Sequence, residues 1–170
     1  STGAISSFAG SGTTYTATFT PSVDGLCSIY VEASKYTDGS STANIESIHF
    51  TWTHDTTSPT MTITAAGVAD GTTTNDESLL LTFTSSEPTT NFVVGDIDTI
   101  NGSISSFVAT SSSVYTAIFT PTEDGACSID VPAGSYRDVS SNANLAANSG
   151  SKFLWTSDTV SPTMTITASE

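Results

Sequence analysis

The run HDTTSPTMTITAA at 54–66 returns as SDTVSPTMTITAS at 157–169. The aspartates of the two runs, Asp55 and Asp158, stand 103 positions apart. That is the length of a small β-sandwich domain rather than of a helical or propeller repeat. The duplication extends well beyond these runs. TYTATFTPSVDGLCSIYV at 14–31 lies over VYTAIFTPTEDGACSIDV at 114–131, YTDGSSTAN at 36–44 over YRDVSSNAN at 136–144, and GAISSF at 3–8 more loosely over GSISSF at 102–107. A short insertion near 145–152 moves the shift from 100 to 103.

The phase of the repeat predicts three parts. Residues 59–161 make one whole unit, 1–58 the back part of a preceding unit, and 162–170 the first strand of a following one. Such a phase suits a section of a longer tandem array. Exchange of the tail 162–170 into a neighbouring chain's open sheet edge is the alternative.

Side-chain alternation makes the chain all-β. Short period-2 runs replace any long helical period. In the whole unit they are 61–64, 78–84, 91–97, 104–109, 114–120, 127–131 and 153–156, with turn chemistry between them, so about seven antiparallel strands are expected. Parity places Tyr115, Ala117 and Phe119 on one face. Leu79, Leu81 and Phe83, then Cys127, Ile129 and Val131, and finally Phe153 and Trp155 also face in. Seven strands in two sheets is the Ig-like count. Each unit carries one cysteine, so Cys27 and Cys127 read as small buried hydrophobes, with an inter-chain bridge as the alternative.

SPTMTITAAGVADGTTTNDESLLLTFTSSEPTTNFVVGDI, followed by YTAIFTPTEDGACSIDVPAGSYRDVSSNAN, resembles the bacterial-type Ig-like repeats. The D-T-x-S-P opening, the T-N-D before the second strand and the D-G before the sixth carry the resemblance, which spans essentially the whole chain. It implies tandem Ig-like β-sandwich repeats in a large secreted adhesin or surface filament protein, with an extracellular or cell-surface location. The partners it implies are further copies of the same repeat in the same chain, and like chains in a filament.

The charge pattern narrows the function. Against 17 Asp and Glu there are 3 Lys and Arg, for a net charge of −14. Such a surface repels nucleic acid and anionic membrane. No stretch reaches the roughly 18 apolar residues of a membrane span. A catalytic constellation is not evident, and His54 aligns with Ser157, so the repeated scaffold does not require it. The reading is therefore non-enzymatic: a structural spacer, with the D-T-x-S-P segments and Pro59 and Pro162 limiting the hinge. The alternative is a glycan- or protein-binding module acting through its loop tips.

The acids collect in turns. At the end where the last strand finishes, Asp70, Asn75, Asp76, Glu77, Glu123, Asp124 and Asp158 are expected together, and Asp24 and Asp55 hold the equivalent places at the preceding junction. Carboxylates and amides of this kind are calcium ligands, yet Asp and Asn also favour turns with no ion present. Glu87, Asp138, Asn142 and Asn144 form a second candidate group at the other end. Asn101-Gly102-Ser103 is an N-glycosylation acceptor or an Asn-Gly turn. Tyr36 and Tyr136, in equivalent places after the sixth strand, are loop-packing aromatics or sugar-stacking rings.

Overall fold

Strict alternation becomes ladder at 61–65, 79–85, 114–121 and 153–157. In the computed structural model, which describes residues 3–150 and 152–168, every element of five residues or more is a strand. The chain divides into two compact units, Ser1–Thr57 and Ser58–Glu170. No helix among the described residues is long and apolar enough to cross a membrane.

Among the described residues the first unit has four strands, β1 (Gly3–Ser11), β2 (Thr14–Pro21), β3 (Gly25–Ile29) and β4 (Phe50–His54). They form two antiparallel pairs, β1–β2 and β3–β4.

The second unit has eight: β5 (Met61–Ala65), β6 (Thr72–Thr74), β7 (Leu79–Ser85), β8 (Asp98–Ile100), β9 (Gly102–Ala109), β10 (Val114–Pro121), β11 (Gly125–Asp130) and β12 (Phe153–Ser157). One sheet runs β5-β7-β10-β9 and the other β6-β12-β11-β8. All ladders are antiparallel except β6–β12. Two four-stranded sheets face each other across one core, the arrangement of an Ig-like β-sandwich.

The expected parity holds through the core. Leu79, Leu81 and Phe83 from β7, Tyr115, Ala117 and Phe119 from β10, and Phe153 and Trp155 from β12 are all buried. Cys127, Ile129 and Val131 join them, and both cysteines are free and buried. A fully buried side chain of this size contributes about 1.5–3 kcal/mol. Phe119 meets Trp155 edge to face at 4.7 Å between ring centres. A Cβ on Gly102 would lie 2.1 Å from the Phe119 ring, so only glycine lets that ring cover the backbone there.

The ISSF tract needs more than alternation. Ile104 and Phe107 both pack against the core although they lie three positions apart. A bulge reconciles them: the register shifts opposite Ala117, between Thr116 and Ile118, and Ser106 adopts φ 51°. The same device recurs in β1, with Ser7 at φ 52° and a shift between Ser6 and Ala9.

Two expectations are corrected. Residues 91–97 are not a strand. Phe92 and Ile97 are buried, five positions apart and thus of opposite parity, and Val94–Asp96 forms a 3-10 turn. The Asp96 carboxylate accepts the Val93 N–H at 2.8 Å, competing with ladder formation. The strand begins only at Asp98. Conversely, Thr72–Thr74, read as part of a turn, pairs with Trp155–Ser157, so the described residues of the unit form eight strands.

The tail differs from its counterpart. Residues 162–168 form no ladder and are exposed, whereas Met61–Ala65 takes its hydrogen bonds from β7. Among the described residues, no strand pairs with the tail. Residues 169 and 170 lie outside the described residues.

Candidate functional site

The end of the sandwich where β12 finishes is built by acids holding backbone and hydroxyl groups. In the β10–β11 turn, Asp124 Oδ1 accepts both the Thr159 N–H at 3.0 Å and the Thr159 hydroxyl at 2.9 Å. Asp158 Oδ1 accepts the Val160 N–H at 3.2 Å, and its own N–H donates to Thr74 O at 2.9 Å. Asp70 Oδ1 accepts the Leu154 N–H at 2.7 Å. Asp76 Oδ2 accepts the Thr74 hydroxyl at 2.6 Å. Asn75 is exposed.

Glu77, Glu123 and Asp124 line an open groove of about 480 Å3, with Thr122, Ser157 and Thr159. The topology thus brings three of the seven expected residues to one groove. A calcium ion needs 6–8 oxygens at 2.3–2.6 Å. Among the described residues, no three acids of this end bring ligand atoms within 4.8 Å of one another.

The first unit repeats the device. Asp24 accepts the Thr56 hydroxyl at 3.0 and 3.2 Å and the Thr57 hydroxyl at 3.0 Å, while Asp55 Oδ1 accepts the Thr57 N–H at 3.0 Å. The Thr56 backbone N–H holds the Asp24 carboxyl below its ordinary range. Slight burial opposes this, and the two hydroxyls and the His54 imidazole, 3.8 Å away, reinforce it. His49 instead stacks on Tyr30 at 3.9 Å between ring centres and faces Glu46 at 3.2 Å.

The second candidate group resolves into a loop scaffold. Asp138 is buried, and its carboxylate accepts the Asn142 N–H at 2.8 Å and the Asn142 amide at 2.9 Å. Burial acts to raise its pKa. Hydrogen bonds from Asn142 and the Ser140 backbone outweigh this and hold it low. Asn144 does separate work: its Oδ1 accepts the Tyr136 N–H at 2.9 Å, and its Nδ2 donates to Pro132 O at 2.9 Å and Leu145 O at 2.8 Å. In the first unit Asp38 and Asn44 make the matching bonds, to Ser40 and Thr42 and to Tyr36, Glu32 and Ile45. The shared D-x-S-S-x-A-N spacing is therefore loop-building chemistry.

Tyr136 is corrected as a sugar-stacking candidate. It is fully buried, its hydroxyl 3.2 Å from Ser85 Oγ and its ring edge-on to Phe92 at 5.3 Å, because the loop after β11 folds it into the core. Burial raises its pKa, and Ser85 opposes this. Tyr36 remains 64% exposed. Asn101 adopts φ 57° at the β8–β9 turn, and its Nδ2 donates to Glu123 O at 2.9 Å and faces Cys127 Sγ at 3.5 Å. The amide that a glycan would occupy is turned into the fold.

Sequence reasoning missed Thr56, Thr57 and Thr159, the partners of the junction aspartates. Their signal is the D-T that follows the last strand in both copies.

The model of the bacterial Ig-like domain family matches residues 55–153, more than half of the chain. No curated protein and no solved structure matches the chain at a significant level. The matched span contains the two facing sheets from β5 to β11 and the first residue of β12. The chain belongs to the bacterial Ig-like domain family.

Proposed function

We propose that the chain is a non-enzymatic structural module of an extracellular or cell-surface protein, a run of tandem Ig-like repeats serving as a spacer or filament segment in the manner of an adhesin. The observation that carries this reading is the repeated junction device. Asp24 and Asp124, at equivalent places, each hold the threonines that follow the last strand of their own unit. A segment tied down at the same point in each unit restricts the chain as it leaves the sandwich. Pro59 and Pro162 add their fixed φ shortly afterwards.

Family membership supports the setting, since bacterial Ig-like domains are often extracellular or surface-exposed. The non-enzymatic reading is supported by the work the polar groups already do, because the junction acids hold backbone and threonine groups. Partners on this reading are further copies in the same chain, or like chains side by side in a filament.

The test is a series of chains extended by one, two and three copies of residues 59–161. Small-angle scattering should give rods that lengthen in step with copy number, and a glycan array should stay blank. Coiled, flexible profiles, or saturable sugar binding abolished by Tyr36→Ala, would overturn the reading.

A further inference from the structure

The bonds on either side of the insertion near 145–152 show where its added residues go. The Ala147 N–H donates to Val131 O at 3.0 Å, as the Ser47 N–H does to Val31 O at 2.9 Å, so the shift is still 100 at that point. Phe153 lies opposite Ile129 as Phe50 lies opposite Ile29, and there the shift is 103. The loop from Ser47 to Phe50 thus reaches the last strand without the extra residues. In the second unit the chain turns left-handed directly after Ala147: Asn148, Ser149 and Gly150 have φ of 45°, 59° and 91°. That region is costly for residues other than glycine and, to a lesser degree, asparagine. Its result is specific: Asn148 Oδ1 accepts the Ile63 N–H at 2.9 Å.

Ile63 stands on β5, an edge of the sheet β5-β7-β10-β9. The even positions of β5 face β7, since the Ser86 N–H donates to Thr60 O and the Ala66 N–H to Leu80 O, both at 2.9 Å. The odd positions therefore turn their backbone groups away from the sheet, where a further strand can pair with them. Three of these positions are taken from within the unit. Pro59 O accepts the Leu145 N–H at 2.9 Å, the Ile63 N–H goes to Asn148, and Ala65 bridges to Val68. The other sheet edges are poor templates for separate reasons. The bulge at Ser106 bends β9, and β6 and β8 have three residues each. By contrast β5 pairs regularly along all five of its residues, so it is the edge that needs covering.

We propose that Asn148-Ser149-Gly150 is an edge lock, which keeps β5 from pairing with the β5 of a second copy of this chain. Charge points to that occupant. The net charge is −14, yet no charged residue occurs between Asp55 and Asp70. Two β5 edges therefore meet without opposed carboxylates, where most other approaches of like chains are repulsive. Antiparallel pairing of one strand with its own copy is a two-fold, self-complementary contact and closes as a dimer. With the lock in place the Ile63 N–H has no bond to offer. The inference does not depend on the spacer reading. It bears on how like chains lie side by side, because it removes β5 as the seam between them.

The test compares the full chain with Asn148→Ala and with a deletion of 148–150, which restores the loop length of the first unit. In dilute solution the Ile63 amide of Asn148→Ala, followed by NMR, should exchange roughly 10-fold faster than in the parent chain. Sedimentation equilibrium should show self-association tightened by about 10-fold or more. At the higher concentrations the β5 amides should regain their protection. The deletion should act in the same direction, and if it does not fold, Asn148→Ala decides alone. Association no tighter than the parent's would overturn the proposal, even with faster Ile63 exchange, since the bond would then serve folding only. Unchanged Ile63 exchange would overturn it as well. So would a tighter complex that protects the amides of 162–168 and leaves β5 open, which would make the tail the pairing strand. None of these outcomes alters the scattering of extended arrays, so the spacer reading stands or falls separately.

Discussion

Asp124 takes two hydrogen bonds from a single residue 35 positions away, the N–H and the hydroxyl of Thr159, at 3.0 and 2.9 Å. A carboxylate accepting a paired N–H and O–H fixes both the backbone and the side-chain rotamer of its partner, which a neutral acceptor does less strongly. The counterpart, Asp24, is bonded by the N–H and hydroxyl of the equivalent Thr56 and by the hydroxyl of Thr57 as well. The same loop position thus anchors the outgoing segment in both units through a shared pair of donors.

Asp124→Ala should therefore cost about 1 kcal/mol, the ordinary net value of a hydrogen bond rather than that of a charge-assisted one, because the site is exposed. Urea unfolding should show a lower midpoint at unchanged slope, and the Thr159 amide should exchange faster. Asp124→Asn, which keeps an acceptor oxygen, should recover part of the loss. An unchanged midpoint and unchanged Thr159 exchange in Asp124→Ala would remove the anchor.

Gly102→Ala tests the packing of the core against the backbone. The added methyl would meet the Phe119 ring at 2.1 Å and the Thr120 carbonyl oxygen at 2.6 Å, and the second contact cannot be relieved by a rotamer change. Overpacking of this kind costs about 1–3 kcal/mol. Gly95→Ala, with no atom within 4 Å of the new methyl, should stay within about 0.5 kcal/mol. Equal thermal stability of the two variants would contradict the contact.

Legibility followed the physics of each segment. Tyr115, Ala117 and Phe119 could be placed because a half-buried strand has no other way to satisfy period 2. Residues 91–97 misled because Phe92 and Val94 share a strand-like parity, while the Asp96 side chain captures the Val93 N–H and folds a turn. Thr72–Thr74 was hidden because three threonines between D-G and N-D look like turn chemistry until β12 is set beside them. At the junction the acids were visible as loop residues. Their threonine partners were not, since D-T and E-D-G each read as a local turn and only the fold brings them together.

Asp138 makes stability sensitive to acid. Although burial raises its pKa, its hydrogen bonds hold the folded value below the ordinary one, so the fold favours the carboxylate. That stability is complete above the unfolded value of about 3.9. It is lost as pH falls through the lower folded value. Unfolding free energies measured from about pH 6 down to about pH 2 should decline less steeply in Asp138→Asn than in the parent chain. Identical acid limbs would place the proton uptake elsewhere.

Calcium at the β12 end would share carboxylates that already accept hydrogen bonds. Asp124 and Asp158 hold the outgoing segment, Asp70 holds Leu154 and Asp76 holds Thr74. Glu77 and Glu123 line the groove but do not converge with a third acid of that end within 4.8 Å among the described residues. An ion bound only by the native state would raise stability by mass action, so its removal would show as a lower Tm. On this geometry, exhaustive chelation should shift Tm by less than about 1 °C, and adding calcium back should leave Tm unchanged, whereas a native-state site held at 100 times its Kd would supply roughly 2.7 kcal/mol. A fall of several degrees on chelation, reversed by calcium and absent in Glu77→Gln/Glu123→Gln, would mean that the loops close around an ion and that the hydrogen bonds of Asp124 are only part of the junction.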